Sequence, residues 1–332
     1  MDNLTTATQS ESGSQAPVTD QSLSRRPSPA QRRPSLTTSV RRPGEAVAKV
    51  VLRLAAWLTI VITVGIVIAL IIPAVEFFAQ VPITDFLFGT RWAPRFASAS
   101  FGVIPLVTAT LWTTAIALIT AVPIGLGAAI LLSEYARPRL RAILKPILEI
   151  LAGVPTVVYG LFALAFVQTI VLREGLHLPT GSFSVLAAGL VMGVMIVPTV
   201  ASLSEDAMSA VPNSMRQGSA ALGANRMQTS MRVVFPAALS GIVAAIVLGV
   251  SRAVGETMIV AIAAGGQARI VAGPLEQGQT MTGFIANAAL GDSRVGSIEY
   301  DTLFAVGLLL FAITLLINFI SFRFVRRFRE AY

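Results

Sequence analysis

Long apolar segments alternate with shorter polar stretches along most of the chain. Six of these segments reach the roughly 20 residues that a helix needs to cross the hydrocarbon core of a bilayer. They lie near residues 54–78, 103–132, 147–171, 185–203, 233–262 and 302–322. The second and the fifth exceed one crossing, so we expect them to tilt or to extend beyond the hydrocarbon. The pattern predicts an all-α polytopic membrane protein with six transmembrane helices.

The composition agrees with this prediction and excludes several kinds of chemistry. Of the 332 residues, 54% are hydrophobic and 13% are charged, whereas soluble domains carry about 25% charged residues. The chain contains no cysteine, which excludes disulfides and thiolate chemistry. Its one histidine, His177, lies in a polar connection, where a surface residue is expected because a metal site needs several ligands. The sequence therefore implies neither a metal nor a cofactor.

The basic residues are unequally distributed between the polar stretches. Nineteen of the 25 Lys and Arg residues lie in stretches that would share one side of the membrane, and five lie on the other side. Arg252 is the remaining one and lies inside the fifth apolar segment. Cytoplasmic segments of membrane proteins carry an excess of Lys and Arg. Both termini are therefore predicted to be cytoplasmic.

The polar stretch before the fifth apolar segment reads PNSMRQGSAALGANRMQTSMRVVFP, residues 212–236. Pro212 and Asn213 can begin a helix, and Gly223 permits a turn that other residues resist. A second helical run, 225–234, leads to Pro236. The spacing predicts two short helices joined at a glycine on the cytoplasmic side. An amphipathic helix lying on lipid is the alternative.

This stretch resembles a loop of the membrane subunits of bacterial ATP-binding cassette (ABC) importers, whose pattern is E-A-A-x3-G-x9-I-x-L-P. Gly223 and Pro236 match the pattern, while its first three residues are replaced. The resemblance implies coupling helices that dock into an ATPase subunit. The residues it assigns to this contact are Gln217, Gly218, Ser219, Gly223 and Ala224. Glu205 and Asp206, just before the loop, are candidates for the same contact, with a solvated helix end as the alternative.

Five further stretches narrow the resemblance to the phosphate-importer permeases of the PstC family. They are FGVIPLVTATL (101–111), AVPIGLGAAILLSEYA (121–136), LEILAGVPTVVYG (148–160), MIVPTVASLSEDAMSAVP (195–212) and SRAVGETM (251–258). The resemblance implies a type I ABC importer permease fold and an alternating-access mechanism. It also implies a second, PstA-like permease, two PstB-like ATPases and an extracellular PstS-like phosphate-binding lipoprotein. A permease for sulfate or molybdate and an ATP-independent transporter or channel are the alternatives.

Four regions follow from these predictions. Residues 1–50, rich in Ser, Thr, Gln and Pro, should form a disordered basic cytoplasmic tail attracted to anionic lipid, and a nucleic-acid-binding arm is the alternative. Residues 51–100 should hold the first transmembrane helix and an extracellular segment. Residues 101–325 should form the permease domain, with the coupling loop at about 212–232, and residues 326–332 a cytoplasmic tail. The chain lacks the pattern G-x4-G-K-S/T, so ATP must be hydrolysed by a partner and the chain itself is not expected to be an enzyme.

Two charges inside the fifth apolar segment are the candidate transport residues. Arg252 and Glu256 are four residues apart, so a continuous helix would place them on the same side. Because charges within the membrane are costly, they usually mark a pathway, although a neutralised pair that pins helices together is the alternative. The resemblance implies that both residues take part in phosphate passage, and Thr257 could add a hydroxyl. We hypothesise that Glu256 competes with phosphate for Arg252 and keeps the site weak.

Two geometric expectations complete the sequence-based picture. Arg252 lies 16 residues after Pro236, or about 24 Å along a helix. If Pro236 marks the cytoplasmic edge, Arg252 should lie in the outer half of the bilayer. Glu134 should pair with Arg137 and Arg139, which follow it closely in sequence.

Overall fold

The computed structural model of the chain describes residues 43–96 and 98–327. The chain divides into two units, residues 1–58 and 59–332. The first helix, α1, begins at Pro43, inside the range expected to be a disordered tail. The prediction for residues 1–42 lies outside the described residues and stays a prediction. The last helix continues to Arg327, and the remainder of the predicted C-terminal tail also lies outside the described residues.

The described residues are almost entirely helical. The helices are α1 (Pro43–Gln80), α2 (Ile83–Phe88), α3 (Ile104–Ile130), α4 (Pro138–Ala152), α5 (Thr156–Phe162), α6 (Val185–Ser209), α7 (Asn213–Ala221), α8 (Arg226–Thr229), α9 (Phe235–Ala237), α10 (Leu239–Val254), α11 (Met258–Ala263), α12 (Met281–Ala289) and α13 (Ile298–Arg327). Segments of π-helix extend three of them: Leu131–Tyr135 after α3, Ala163–Gly175 after α5 and Ser230–Val234 after α8. Two short antiparallel strands, β1 (Trp92–Ala93) and β2 (Ser100–Phe101), form a hairpin.

Within the described part of the chain, five helical stretches are long and apolar enough to cross a membrane. They are Val47–Gln80, Ile104–Tyr135, Thr156–Gly175, Val185–Ser209 and Ile298–Arg323. A sixth candidate is a pair of helical pieces, Arg226–Ala237 and Leu239–Val254, that is bent by 71°. The predicted all-α membrane fold is confirmed, with five or six spans.

The third and fifth spans differ from the predicted ones. The third was expected to begin near residue 147, but α4 ends at Ala152 and the span begins at Thr156. Pro155 between them disfavours helical backbone at the residue before it, and none of the residues of α4 is buried. The fifth was expected to run unbroken from 233 to 262. Instead it bends near Ala238 and stops at Val254.

The centre of the fold is the pairing of α3 with α6. Helix α6 is largely buried along its membrane window, and small residues allow α3 to approach it closely. A Cβ atom placed at Gly189 would lie 2.7 Å from the Cβ of Ile116 on α3, and one at Gly193 would lie 2.8 Å from the Cβ of Thr120. The close approach therefore requires glycine at these positions.

Two further apolar clusters lie at the two ends of the α3–α6 pair. One joins the end of α1, the hairpin, the start of α3, α12 and α13. We call this end the hairpin end. The other joins the ends of α3 and α6 to residues 234–242. This second cluster lies beside α7 and α8. We call residues 213–234 the elbow, and we call the end of the helix pair that holds this cluster the elbow end.

Candidate functional site

The elbow consists of two short helices joined at Gly223, as predicted. Gly223 has a φ of +81°, a backbone conformation that residues with a Cβ rarely adopt. The second helix begins with a capping box, in which Asn225 Oδ1 accepts from Gln228 N–H at 2.8 Å and Gln228 Oε1 accepts from Asn225 N–H at 2.9 Å. These bonds satisfy backbone groups at the helix start and fix the angle of the elbow.

The residues assigned to ATPase contact by resemblance do not all face the same way. Gln217, Gly218 and Gly223 are exposed, and Ala224 is half-buried. Ser219 is half-buried, and its hydroxyl lies 2.9 Å from that of Thr229 on α8. Ser219 therefore holds the two helices together. A groove of about 480 Å³ lies between α7 and the following residues of the elbow, and the exposed Leu222 lines it.

Arg216 connects the elbow to two membrane spans. Its Nη2 lies 2.9 Å from Glu134 Oε1 at the end of the α3 span, and it also donates to Met208 O at 2.8 Å at the end of α6. The expected pairing of Glu134 with Arg137 and Arg139 is wrong. Those two arginines are exposed, whereas the Glu134 side chain is 7% exposed and faces the elbow.

Glu205 is buried and already paired within the chain. Arg141 and Lys145, both on α4, form ion pairs with its carboxylate, the latter at 3.0 Å. The Ser209 hydroxyl lies 3.0 Å from the same carboxylate. The alternative that Glu205 is a solvated helix end is therefore wrong, and its contact with an ATPase subunit stays a prediction. Asp206 points in another direction, since successive residues of a helix face different sides, and its exposed side chain bonds only to Lys145 among the described residues.

The helix that carries Arg252 ends before Glu256. Helix α10 stops at Val254 and α11 starts at Met258, so the prediction that Arg252 and Glu256 lie on one continuous helix is wrong. Glu256 Oε1 accepts from the backbone N–H of Met258 at 3.1 Å and of Ile259 at 3.3 Å. Among the described residues, no ion pair joins Glu256 to Arg252.

Each charge instead complements a helix end. The last turn of a helix carries partial negative charge and the first turn partial positive charge, because its terminal C=O and N–H groups lack partners within the helix. Arg252 lies in the last turn of α10, and the Glu256 carboxylate binds the first N–H groups of α11. The break in the span therefore explains why two charges occur in an apolar segment.

Arg252 lies beside the middle of α6, one of the candidate membrane spans. Its Nη1 donates to Thr199 Oγ1 at 3.3 Å. Thr199 lies about 15 Å from the Ser209 end of α6 and about 21 Å from the Val185 end, at 1.5 Å per residue. Because the chain bends by 71° before α10, the distance from Pro236 does not measure depth, and the expected outer position of Arg252 stays a prediction.

Polar groups from three other elements surround the break. The Thr282 hydroxyl of α12 donates to the Glu256 carbonyl at 2.6 Å, and the Ser251 hydroxyl donates to Asn318 Oδ1 of α13 at 2.9 Å. Tyr159 of α5 lies near enough to Arg252 to interact with its charge. Thr257 is half-buried and donates to the carbonyl of Gly255 at 3.4 Å. Sequence reasoning missed Thr199 and Thr282, since threonine within an apolar run gives no distinctive signal.

Comparison with protein families identifies the kind of protein to which this geometry belongs. The family described as "binding-protein-dependent transport system inner membrane component" matches residues 121–330, more than half of the chain. The chain belongs to this family. It is a multi-pass membrane protein and a subunit of a transport system.

Individual relatives agree with this assignment. Over 252 residues the chain is 38% identical to "phosphate transport system permease protein PstC 1" of Mycobacterium tuberculosis, covering 69% of this chain and 73% of that protein. It is 36% identical over 243 residues to "probable ABC transporter permease protein YqgH" of Bacillus subtilis, covering 72% and 78%. It is 32% identical over 290 residues to a phosphate transport permease PstC of Mesorhizobium japonicum, covering 82% and 87%.

Solved structures show the same fold at lower identity. An inward-facing methionine ABC transporter, MetNI, matches with a TM-score of 0.52 and 24% identity, covering 68% of this chain and 97% of that chain. A bacterial ABC transporter that imports alginate matches with a TM-score of 0.54 and 14% identity, covering 83% and 100%. The fold is that of the ABC importer permeases.

Proposed function

We propose that the chain is the permease subunit of an ATP-driven importer of inorganic phosphate and forms half of its translocation pathway. The observation that carries this proposal is the 38% identity to a mycobacterial phosphate transport permease over most of both chains. The position of Arg252 supports it on chemical grounds.

Arg252 has the properties of an oxyanion site. A guanidinium offers a planar fork of donors that matches phosphate oxygens, and the nearest described partner of Arg252 is a neutral threonine hydroxyl. Glu256 is bonded to the backbone of α11, so it leaves the charge of Arg252 available. The site must also release the ion, because conduction needs binding that is weak enough for exit. Thr257, at the edge of the break, would add a hydroxyl to the pathway.

The elbow would connect this pathway to ATP hydrolysis. In the proposed complex, Gln217, Gly218 and Gly223 face an ATPase subunit, while Arg216 transmits movement of the elbow to α3 and α6. The remaining partners would be a second permease, a second ATPase copy and an extracellular phosphate-binding lipoprotein. Both termini would lie in the cytosol, and ATP-driven closure would alternate access to Arg252 between the two sides.

Phosphate uptake by the reconstituted complex in vesicles tests the proposed substrate and mechanism. We expect ATP-dependent uptake of phosphate, with Arg252→Gln reducing uptake at least tenfold. The matched control is Arg294→Gln, which removes an exposed arginine from the loop before α13. Uptake of sulfate or molybdate in preference to phosphate would identify the alternative substrates, and uptake without the ATPase would identify a channel or a secondary transporter.

The role of Glu256 can be separated from that of Arg252. In Glu256→Gln, the amide oxygen can still accept from the N–H groups of Met258 and Ile259, so a positioning role predicts nearly unchanged uptake. Competition with phosphate for Arg252 predicts instead that this variant retains more phosphate within the membrane domain. Glu256→Ala removes the acceptor and should reduce uptake under the positioning role.

Two exposed leucines provide a matched test of the docking surface. Leu222 on the elbow is 91% exposed, and Leu290 at the hairpin end is 88% exposed. If the elbow docks into the ATPase, Leu222→Glu should reduce co-purification of the ATPase and Leu290→Glu should not. Equal effects of the two substitutions would contradict the assignment of the elbow.

A further inference from the structure

A cavity of about 490 Å³ opens at the hairpin end, between the hairpin, α12 and residues 266–269. Its volume corresponds to about 16 water molecules and lies within the range of small-molecule sites. Several side chains with N–H donors line it: Trp92, Arg95, Gln267, Arg269, Gln279 and Asn287.

The cavity carries positive charge and no lining carboxylate. Arg269 is partly neutralised, because its Nη2 lies 3.3 Å from Oε2 of Glu276. Arg95 has no hydrogen bond or ion pair within the described part of the chain. The cavity therefore offers one unpaired guanidinium, the group best suited to a phosphate oxyanion.

Trp92 forms one wall of the cavity. The residue is 5% exposed, held by pairing with Phe101 across the hairpin and by edge-on packing against Phe284 of α12 at 4.9 Å. Its Nε1–H is buried and has no hydrogen-bond partner in the described structure. Because this N–H is not accessible from the cavity, the indole of Trp92 forms an apolar wall of the site rather than a donor to a bound ion.

The cavity also adjoins the broken span. Gln279 lines the cavity, and three residues later the Thr282 hydroxyl donates to the carbonyl of Glu256 at 2.6 Å. The start of α12 therefore contacts both the cavity and the break that follows Arg252.

We propose that this cavity binds a phosphate oxyanion at the hairpin end before the ion reaches Arg252. Arg95 supplies the charge, and Gln279 and Asn287, which also line the cavity, supply neutral donors. The proposal rests on the proposed phosphate import, which it extends by a second binding site. Free inorganic phosphate is the proposed ligand, and a lipid phosphate is the other source of the same chemistry.

Trp92 can report on its own cavity. The chain has three tryptophans, Trp57, Trp92 and Trp112, so Trp57→Phe with Trp112→Phe leaves only Trp92. The full chain in phosphatidylcholine nanodiscs is titrated with sodium phosphate at constant ionic strength, with sodium chloride as the reference. We expect a saturable change in fluorescence with phosphate alone, and about tenfold weaker binding, or 1.4 kcal/mol, in Arg95→Gln. Arg294→Gln, at the same end but outside the cavity, should bind as the parent does.

Three outcomes would overturn the proposal. The first is no saturable change in fluorescence at millimolar phosphate, and the second is an equal response in Arg95→Gln. The third is loss of the phosphate response in nanodiscs that contain anionic phosphatidylglycerol, which would mean that the lipid phosphate is the ligand. Because Trp112 donates to Val271 O at 3.1 Å, its substitution could disturb the fold. Equilibrium binding of radiolabelled phosphate by Arg252→Gln, with and without Arg95→Gln, provides the second measurement, with the same expected tenfold difference in affinity. Vesicle uptake with no binding at this cavity would refute this proposal alone, whereas binding without uptake would refute the proposed import.

Discussion

An ion-pair cluster joins α4 to α6. Replacing its buried acidic member should lower the free energy of unfolding less than replacing its two basic members. The Glu205 side chain is 1% exposed, whereas its partners Arg141 and Lys145 are 40% and 32% exposed. In Glu205→Gln, the two cations can recover hydration, so the loss should be about 1–2 kcal/mol. In the double variant Arg141→Gln/Lys145→Gln, the carboxylate stays buried with Ser209 as its remaining polar partner, and the loss should be about 3–5 kcal/mol.

The measurement is the free energy of unfolding in mixed micelles, obtained by titration with a denaturing detergent. Asp206→Asn is the matched control, because Asp206 also lies 3.0 Å from Lys145 but is 57% exposed. Exposed ion pairs contribute about 0–1 kcal/mol, so this control should change stability little. A triple variant that replaces Glu205, Arg141 and Lys145 with apolar residues should recover most of the loss of the double variant.

Two results would refute this reasoning. If Glu205→Gln costs as much as the double variant, burial of the carboxylate does not govern the energetics of the cluster. If Asp206→Asn costs as much as Glu205→Gln, exposure does not distinguish the two carboxylates. Either result would mean that α4 is held to α6 mainly by other contacts.

Three further predictions follow from the packing, the elbow and the same cluster. Gly189→Ala should cost about 1–3 kcal/mol of unfolding free energy because its methyl group would overlap Ile116 on α3, and Ile116→Ala in the same chain should restore part of it. Gly223→Ala should strain the elbow by about 1–2 kcal/mol because its φ is +81°, which increased proteolysis between α7 and α8 would reveal, with Gly218→Ala as the helical control. Hydrogen bonds to Asp206 and Glu205 raise the pKa of Lys145. The contribution of the Lys145 charge to folding stability is therefore complete below the ordinary pKa of 10.5, and it is lost as pH rises through the raised pKa. The difference in unfolding free energy between the parent and Lys145→Gln should accordingly stay constant at neutral pH and shrink only above pH 10.5, and a decrease near neutral pH would contradict it.

The sequence predicts the features of this fold that depend on local chemistry. Long apolar segments indicate spans because each backbone group must be satisfied within a helix in lipid. The elbow is equally local, since Gly223 and the capping residue Asn225 specify its turn whatever surrounds them. Both features were predicted and are present.

The features that the sequence did not predict depend on contacts distant along the chain. Residues 233–262 are apolar almost throughout, and glycine is common in membrane helices, so nothing local indicates an end at Val254. The Thr282 hydroxyl that binds the Glu256 carbonyl comes from α12, 26 residues away. Glu134 likewise pairs with Arg216 on the elbow rather than with its sequence neighbours.

The broken span also gives a physical reason why a cation can occur within an apolar span. An arginine on an unbroken apolar helix would cost several kcal/mol to insert, and a carboxylate paired with it would cancel the charge that an anion needs. The break allows the partial negative charge of the α10 end to stabilise Arg252, while Glu256 is bonded to the start of α11 instead. A partial charge stabilises the guanidinium without occupying its donors in the way a carboxylate would. Under the proposed function, this arrangement would let the chain hold a cation within its membrane span and leave it free to bind an oxyanion.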